Sequence, residues 1–413
     1  MVFKLKTRNI TKGDEKNLCR KYTKLLKKNN NALEIISKLF LELIYLYFNN
    51  KKRKLYKLFF PVIMANLIEQ GSINSVIEEY KNKKRLYSES YTCRILKQLD
   101  NETGLEISRI FRKILFKILK KIGLKNKGYC IAIDITVKPF YGNKNLCMVK
   151  GTKKKAGTNF AMQYLTASIV EEGVRFNLLC FPISQLTLVD RKIQEMISEI
   201  EKDVSIKLLY LDRGFANKKY CRIIKLLKYK FIMPITKNRK LNEIEISINN
   251  QSFIDDESYT LSELDYIFYE KKSKEYQEAV KLLALHEDNK IFFFITNIYN
   301  LKSWDYYNLI ESYRYRFGIE TNYRMDNIFC ALTSSIKASI RYLLMQISLI
   351  VQDLWTLVNF LLHEQKKRQP REFYKGNYSI RNIILSRIKL LKFIWRPIIT
   401  AVQFKRRMER VLG

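Results

Sequence analysis

The chain has 413 residues, of which 47% are hydrophobic, and a formal net charge of +36 from 76 Lys and Arg against 40 Asp and Glu. This composition excludes wholesale disorder and predicts two or three packed units, because the chain is too long for one ordinary core. The charge surplus favours a polyanionic partner, nucleic acid first, although an A·T-rich gene would also inflate the lysine content.

The cysteines, the histidines and the apolar stretches argue against several classes of site and of protein. The seven cysteines include no Cys-x-x-Cys pair, which argues against a zinc site or a disulfide framework and favours a reducing cytoplasm. The two histidines, His286 and His363, leave a His-rich metal site almost without ligands. The longest apolar stretch, 340–362, includes Arg341 and Asp353, and the first residues do not resemble a signal peptide. We therefore expect a buried helix and no membrane partner.

Charge is distributed in blocks along the chain. Residues 1–127 hold 30 Lys and Arg against 11 Asp and Glu, and residues 365–413 hold 14 against 2. Residues 240–290 reverse the balance, with 6 basic and 12 acidic residues. These blocks predict two surfaces that face DNA and one that faces away from it.

The first block is predicted to be an all-helical DNA-binding region. Apolar residues recur at helical spacing over 31–48 and 55–69. Residues 72–80 and 88–99 then predict two short helices, which would suit a helix-turn-helix with Arg94 on the helix that enters the major groove. An ordinary helical bundle with solvated charges fits the same pattern.

The middle of the chain, 128–363, changes to a pattern of strands and helices. The predicted order is three strands, helix, strand, helix, strand, at 129–137, 161–170, 174–183, 189–201, 206–211, 216–228 and 230–235. This is the order of a ribonuclease-H-like α/β core. We expect a small β-rich insertion at 236–300, further helices from Ser303 to His363, and a basic tail at 364–413.

Two aspartates stand where this order would bring strand ends together. Asp134 lies within the first strand and Asp212 directly follows the fourth. In such a sheet these strands are neighbours, so the two carboxylates could share Mg²⁺ or Mn²⁺, for which carboxylate oxygens are natural ligands. A third carboxylate from a helix would complete a two-metal site. A turn or capping role is the ordinary alternative for either Asp taken singly.

A third motif lies at 313–320. Tyr313, Arg316 and Glu320 are spaced three and four residues apart and would share one face of a helix. Beside the two aspartates they would supply a metal ligand, a phosphate-binding fork and a further phosphate contact. A surface salt bridge between Arg316 and Glu320 is the alternative.

With these motifs the chain resembles the DDE transposases of bacterial and archaeal insertion sequences, in the class marked by the signature Tyr-x2-Arg-x3-Glu-x6-Lys. The resemblance spans about 128–363 and rests on the motifs at 133–136, 210–215, 294–297 and 313–320. It implies a ribonuclease-H-like catalytic core with a β-rich insertion before the Glu helix.

The resemblance also implies an activity and a site. Asp134, Asp212 and Glu320 would be the catalytic, metal-binding triad, with Tyr313 and Arg316 near the DNA end. The protein would bind its element's terminal inverted repeats through the N-terminal helices, cut the strand, and join the freed 3′-hydroxyl to target DNA. Its partners would be double-stranded transposon ends and target, bound as a homo-oligomer in the prokaryotic cytoplasm at the nucleoid.

One position departs from the signature. Asn327 stands seven residues after Glu320, where the family has Lys, and Arg324 is a candidate to supply the missing charge. An inactive copy of the element is the alternative.

Further basic residues are candidates for DNA contact. Lys153, Lys154 and Lys155 lie between the first two predicted strands, and Arg213 follows Asp212. The lysines suit a phosphate-contacting hairpin or loop, and a solvated turn fits them equally well. Two other functions stay open: a metal-dependent nuclease that cuts without joining, and a DNA-binding regulator with structural carboxylates.

Overall fold

The chain folds around one large mixed β-sheet. The computed structural model describes residues 11–28, 38–39, 42, 52–67, 71–84, 86–122, 124, 128–155, 157–171, 174–250, 259–268, 278–287, 290–316, 329–368, 403–404 and 406. The helices within these ranges are α1 (Lys12–Lys28), α2 (Lys52–Leu67), α3 (Ile73–Lys84), α4 (Glu89–Leu96), α5 (Asn101–Ile122), α6 (Val189–Glu201), α7 (Lys218–Leu226), α8 (Arg239–Asn250), α9 (Ser303–Tyr313) and α10 (Ala338–Arg368). The strands are β1 (Tyr129–Pro139), β2 (Val149–Lys155), β3 (Thr158–Glu171), β4 (Val174–Ile183), β5 (Ile206–Leu211), β6 (Phe231–Pro234), β7 (Tyr259–Phe268), β8 (Glu278–Glu287) and β9 (Lys290–Thr296).

Strand β1 lies inside the sheet, with a different kind of neighbour on each side. The strand order is β2-β3-β1-β5-β6-β9-β8-β7, and β4 also pairs with β3. β1 runs antiparallel to β3 and parallel to β5, and β5 runs parallel to β6. The three predicted strands, helix, strand, helix and strand are all present, and β2 is added to them.

The central residues of β1 are buried because other elements pack on both faces of the strand. Ile131, Ala132 and Ile133 have no exposed surface. Ile131 and Ile133 belong to the main core, to which α5 and α10 also contribute, whereas Ala132 packs with Tyr306 and Ile310 of α9. Side chains alternate between faces along a strand, so Asp134 points to the same face as Ala132. The sheet face that carries α9 is therefore the face that carries Asp134.

The predicted insertion at 236–300 continues the main sheet. Strands β7, β8 and β9 form an antiparallel meander, and β9 pairs antiparallel with β6. The segment also contains α8, which was not predicted. Its helical spacing is visible at Leu241 and Ile248, both buried, and Asn238 accepts a hydrogen bond from the Leu241 amide at the helix start. The high acidic content of 240–290 masked this short amphipathic helix.

The two short helices predicted before residue 100 are α3 and α4. The Ser88 hydroxyl accepts a hydrogen bond from the Tyr91 amide and begins α4, as expected for a capping residue. The predicted helix over 55–69 is α2. Most of 31–48, and of the tail beyond α10, lies outside the described residues.

Helix α10 contains the stretch that was expected to be a buried helix. Ala338–Phe360 is long and apolar enough to cross a membrane, but 83% of it is buried inside the protein. Its polar residues meet polar partners there. Both the backbone amide and the side-chain amide of Asn177 donate to Asp353 at 2.9 Å, and the Arg112 Nε lies 3.6 Å from the other Asp353 oxygen. We call Arg112 and Asp353 the core pair; it ties α5 and α10 to β4.

Candidate active site

The register of two parallel strands brings Asp134 and Asp212 together. Ile133 of β1 pairs with Leu211 of β5, so the residues that follow, Asp134 and Asp212, are neighbours across the strands. Asp212 has extended backbone and begins a single turn of 3₁₀ helix, Arg213–Phe215, at the end of β5. The carboxylates therefore lie side by side at the edge of the sheet where the parallel strands β5 and β6 end.

A buried arginine bridges the two carboxylates. One terminal nitrogen of Arg316, Nη1, lies 3.6 Å from Asp134 Oδ2, and the other, Nη2, lies 3.4 Å from Asp212 Oδ1. Arg316 is only 5% exposed, whereas the Asp212 side chain is 37% exposed and that of Asp134 15%. The cluster is thus closed on the arginine side and open at Asp212. We call these three residues the edge cluster.

Tyr313 positions Arg316. Its hydroxyl donates a 2.9 Å hydrogen bond to the carbonyl of Leu211, the residue before Asp212. Its ring packs edge-on against Tyr210 and Phe294. After Tyr313 the chain continues as one 3₁₀ turn, Arg314–Arg316, in which residues three apart eclipse each other. The Arg316 guanidinium consequently stacks over the Tyr313 ring, 5.4 Å from its centroid.

This placement gives Tyr313 an anchoring role. The residue is 4% exposed and its hydroxyl is engaged with the protein backbone. From this position the ring is shielded from solvent. Its part in the 313–320 motif is to fasten the end of α9 to the end of β5.

The rest of the predicted motif lies outside the described residues: Glu320, Arg324 and Asn327 fall within 317–328. Over the ranges that the structure describes, no group of three or more His, Cys, Asp or Glu side chains is placed to hold a metal ion. Asp134 and Asp212 are the two members of the expected triad that the described residues bring together.

The donor chemistry of the two aspartates fits a hard divalent cation. Asp134 Oδ1 accepts a 2.7 Å hydrogen bond from the Ile135 amide, which fixes the carboxylate and turns Oδ2 toward Asp212 and Arg316. Carboxylate oxygens are the ligands that Mg²⁺ and Mn²⁺ prefer. Asp134 and Asp212 are therefore the residues that would hold such an ion.

The lysines at 153–155 belong to a hairpin. β2 pairs with the first half of β3, and Gly157, with φ +82°, lies in the turn between them. That part of β3 pairs with the end of β1, five residues beyond Asp134. Asp134 pairs with Thr166 of β3 and Lys155 with Thr158, so the tip of the hairpin lies eight residues, roughly 25 Å at about 3.3 Å per residue, past the carboxylates. Lys153 and Lys154 are exposed there, and the side chain of Lys155 is outside the described set.

Two other predicted DNA contacts lie on the surface. Arg213 is exposed directly beside Asp212. Arg94 is exposed on α4, where its guanidinium lies 5.0 Å from the centre of the Tyr91 ring. They belong to different parts of the molecule: Arg213 to the edge of the sheet, Arg94 to the N-terminal helices.

Sequence reasoning missed a basic group at the same sheet edge. Lys237, Arg239 and Lys240 are exposed just after β6, the strand next to β5. Lys237 and Arg239 pair with Glu245 and Glu243 of α8, so their charges are partly balanced. Lys237 and Arg239 fall just before the acidic window 240–290 and Lys240 falls inside it, so the block-wise charge count did not show them as one group.

Comparison with known proteins finds a distant structural likeness. No protein-family model matches the chain, and no curated protein matches it. Among solved structures it is similar to a piggyBac transposase, seen by cryo-EM in a synaptic complex with hairpin DNA, at 11% identity and a TM-score of 0.48. The match covers 96% of this chain and 85% of that one. A likeness this weak does not transfer a function, so the function proposed below rests on this chain's own residues.

Proposed function

We propose that this chain is the DNA transposase of an insertion sequence, which binds terminal inverted repeats and catalyses metal-dependent strand cleavage and strand transfer. The observation that carries the proposal is the edge cluster, in which two carboxylates from adjacent parallel strands meet one buried arginine. Phosphoryl transfer needs this combination, because oxygen ligands hold the metal and a cation faces the phosphate.

The arrangement of strands supports the proposal. β4, β3 and β1 are antiparallel neighbours, and β1, β5 and β6 are parallel ones. This is the strand order expected of a ribonuclease-H-like core. In such a core the ends of the first strand and of the next parallel strand lie together, which is where Asp134 and Asp212 are found.

The proposed roles follow from position. Asp134 and Asp212, with Glu320 as a third ligand, would hold Mg²⁺ or Mn²⁺, which when bound activates the attacking oxygen and stabilises the leaving one. Arg316 would contact the phosphate beside the carboxylates with its planar fork. Tyr313 would keep that fork in place.

The proposed DNA path uses the basic surface residues. Arg213, beside Asp212, would bind a phosphate next to the reacting one, and Lys153 and Lys154 would bind phosphates farther along the DNA, with Lys155 and Arg324 as further candidates. Arg94 on α4 would contribute to recognition of the terminal repeat. We expect the active form to be a homo-oligomer assembled on two DNA ends in a prokaryotic cytoplasm, at the nucleoid.

Two alternatives share these residues. A metal-dependent nuclease would use the same carboxylates and cut without joining. An inactive DNA-binding copy is favoured by Asn327, which replaces the signature lysine. An assay of joining separates the nuclease from the transposase, and an assay of cutting separates the inactive copy from it.

The deciding experiment measures cleavage and strand transfer on a labelled duplex that carries the element's own end, with Mg²⁺. The parent protein should cut and join, while Asp212→Asn and Glu320→Ala should bind the duplex and lose at least about 1000-fold in cleavage rate. Asp265→Asn is the matched control, because Asp265 is 79% exposed and lies in β7, the outermost strand of the same sheet.

Each other outcome assigns another function. Cleavage without joining on a pre-cut end identifies the nuclease. Binding without cleavage in the parent identifies the inactive protein, and Asn327→Lys then tests whether the lost lysine is the cause. Undiminished cleavage by Asp212→Asn rejects the carboxylate site altogether.

A further inference from the structure

The guanidinium of Arg316 uses the oxygens that a metal ion would need. Its two terminal nitrogens are shared between the carboxylates, one facing Asp134 Oδ2 at 3.6 Å and the other facing Asp212 Oδ1 at 3.4 Å. Among the residues that the structure describes, one positive charge thus lies between two negative ones. With Arg316 only 5% exposed, solvent screens these charges weakly.

We propose that Arg316 is an internal counter-ion that competes with the divalent cation for Asp134 and Asp212, and that a DNA phosphate relieves this competition by binding the guanidinium. The inference rests on the proposed function, because it concerns metal loading at the same site. It adds an order of events to that function: DNA binding favours metal binding.

Electrostatics gives the reason for competition. The edge carboxylates carry two negative charges, which Arg316 half neutralises. A divalent cation held by the same two carboxylates would be repelled by the guanidinium, and the burial of Arg316 weakens the screening of that repulsion. Metal binding in the DNA-free protein must therefore displace Arg316 from the carboxylates or proceed against that repulsion.

A phosphate provides the alternative partner for the arginine. Guanidinium groups bind phosphate through two parallel hydrogen bonds, as they do carboxylates. The exposed carboxylate of Asp212 marks the side from which a phosphate would approach. Tyr313 is fixed to Leu211, and the ring of Tyr313 lies beneath the guanidinium of Arg316. The guanidinium would therefore exchange a carboxylate for a phosphate while the turn that carries Arg316 stays in place.

Thermodynamic linkage then makes a reciprocal prediction. If phosphate binding raises the affinity for the metal, metal binding raises the affinity for DNA by the same factor. Couplings between two sites commonly amount to about 5- to 150-fold in affinity. We expect the coupling here to pass through Arg316.

The test measures Mn²⁺ binding to the full chain without DNA, by electron paramagnetic resonance of free Mn²⁺. Arg316→Met keeps the length of the stem and removes the charge, and should bind Mn²⁺ about tenfold more tightly than the parent. Arg213→Met is the matched control, because it removes an exposed charge beside Asp212 that does not bridge the carboxylates. It should change the affinity less than about twofold, as expected for a screened surface charge.

The second arm adds a short duplex with the element's end. Parent protein should then bind Mn²⁺ about tenfold more tightly, and Arg316→Met should respond to the duplex much less. Arg316→Lys, which keeps a charge, should behave like the parent. Should Arg316→Met fail to fold by circular dichroism, Arg316→Gln, which also removes the charge, takes its place in both arms.

The possible failures are distinguishable. Equal or weaker Mn²⁺ binding by folded Arg316→Met, or no tightening by duplex in the parent, overturns the counter-ion role. Asp134→Asn provides the separate check on the metal site, since it should lose Mn²⁺ binding. If Asp134→Asn binds Mn²⁺ as the parent does, the metal site and the proposed function fail as well.

Discussion

The edge cluster and the core pair are both arginine–aspartate assemblies, and they differ in how their charges are balanced. In the core pair one arginine faces one aspartate, and the Asn177 amides satisfy the second oxygen of Asp353. In the edge cluster one arginine serves two carboxylates, and one of these, Asp212, reaches solvent. A balanced, sealed pair is suited to holding helices on a sheet. The unbalanced, open cluster keeps negative charge available for a cation.

The largest difference should appear in stability. Above about pH 7, where Asp353 is ionised, Asp353→Ala leaves the buried Arg112 charge without its partner and should lower the free energy of unfolding by about 3–5 kcal/mol. Asp134→Asn should change it by less than about 1 kcal/mol, because the cluster loses both an attraction and a repulsion. Urea unfolding followed by circular dichroism measures both, with Asp265→Ala as an exposed control. If Asp353→Ala and Asp134→Asn lower the free energy of unfolding equally, the core pair and the edge cluster do not differ in their contribution to stability.

The pH dependence of stability sharpens the comparison. Burial raises the pKa of Asp353 to about 7, although Arg112 and Asn177 act in the opposite direction. A carboxyl with a raised folded-state pKa contributes its full stabilisation below its unfolded pKa of about 4, and this contribution is lost as the pH rises through about 7.

The parent protein should therefore lose stability relative to Asp353→Asn as the pH rises from about 4 to about 7. Urea melts of the two proteins across this range measure the difference, and the shared titrations of all other groups cancel in it. A difference that does not change with pH would mean that Asp353 is ionised throughout.

The smallest effect tests the anchor of the edge cluster. Tyr313→Phe removes the hydroxyl that donates to the Leu211 carbonyl, and should cost about 1–2 kcal/mol of unfolding free energy. Tyr141→Phe, at a residue that is 71% exposed, should cost almost nothing. Since the anchor positions Arg316 without contacting DNA, Tyr313→Phe should reduce strand cleavage far less than Asp212→Asn does. A loss as large as that of Asp212→Asn would assign Tyr313 a direct part in the chemistry.

Local patterns predicted much of the region around β1. The alternation of Ile131 and Ile133 with polar or small residues identified the strand, and the order of elements placed Asp134 beside Asp212. These predictions succeed because a strand and its face are encoded within a few residues, and parallel neighbours bring corresponding ends together.

Other features depend on contacts between distant segments. The pairing of β9 with β6 joins the supposed insertion to the main sheet, and no local periodicity encodes it. The spacing of Tyr313 and Arg316 did not indicate that both side chains are buried. Their burial results from the docking of α9 on the sheet, which brings Tyr313 onto Leu211, 102 residues earlier in the chain.

The core pair also has a consequence for the order of synthesis. Asp353 bonds to Asn177, 176 residues earlier, and Gln346 of the same helix bonds to Arg112, 234 residues earlier. At translation rates of about 5–20 residues per second, α5 emerges from the ribosome on the order of 10–50 s before its partner helix. During that interval α5 can pack on α1 and β4, but the part of its surface that α10 covers has no partner. A nascent chain that stops before residue 338 never receives the helix that seals this core.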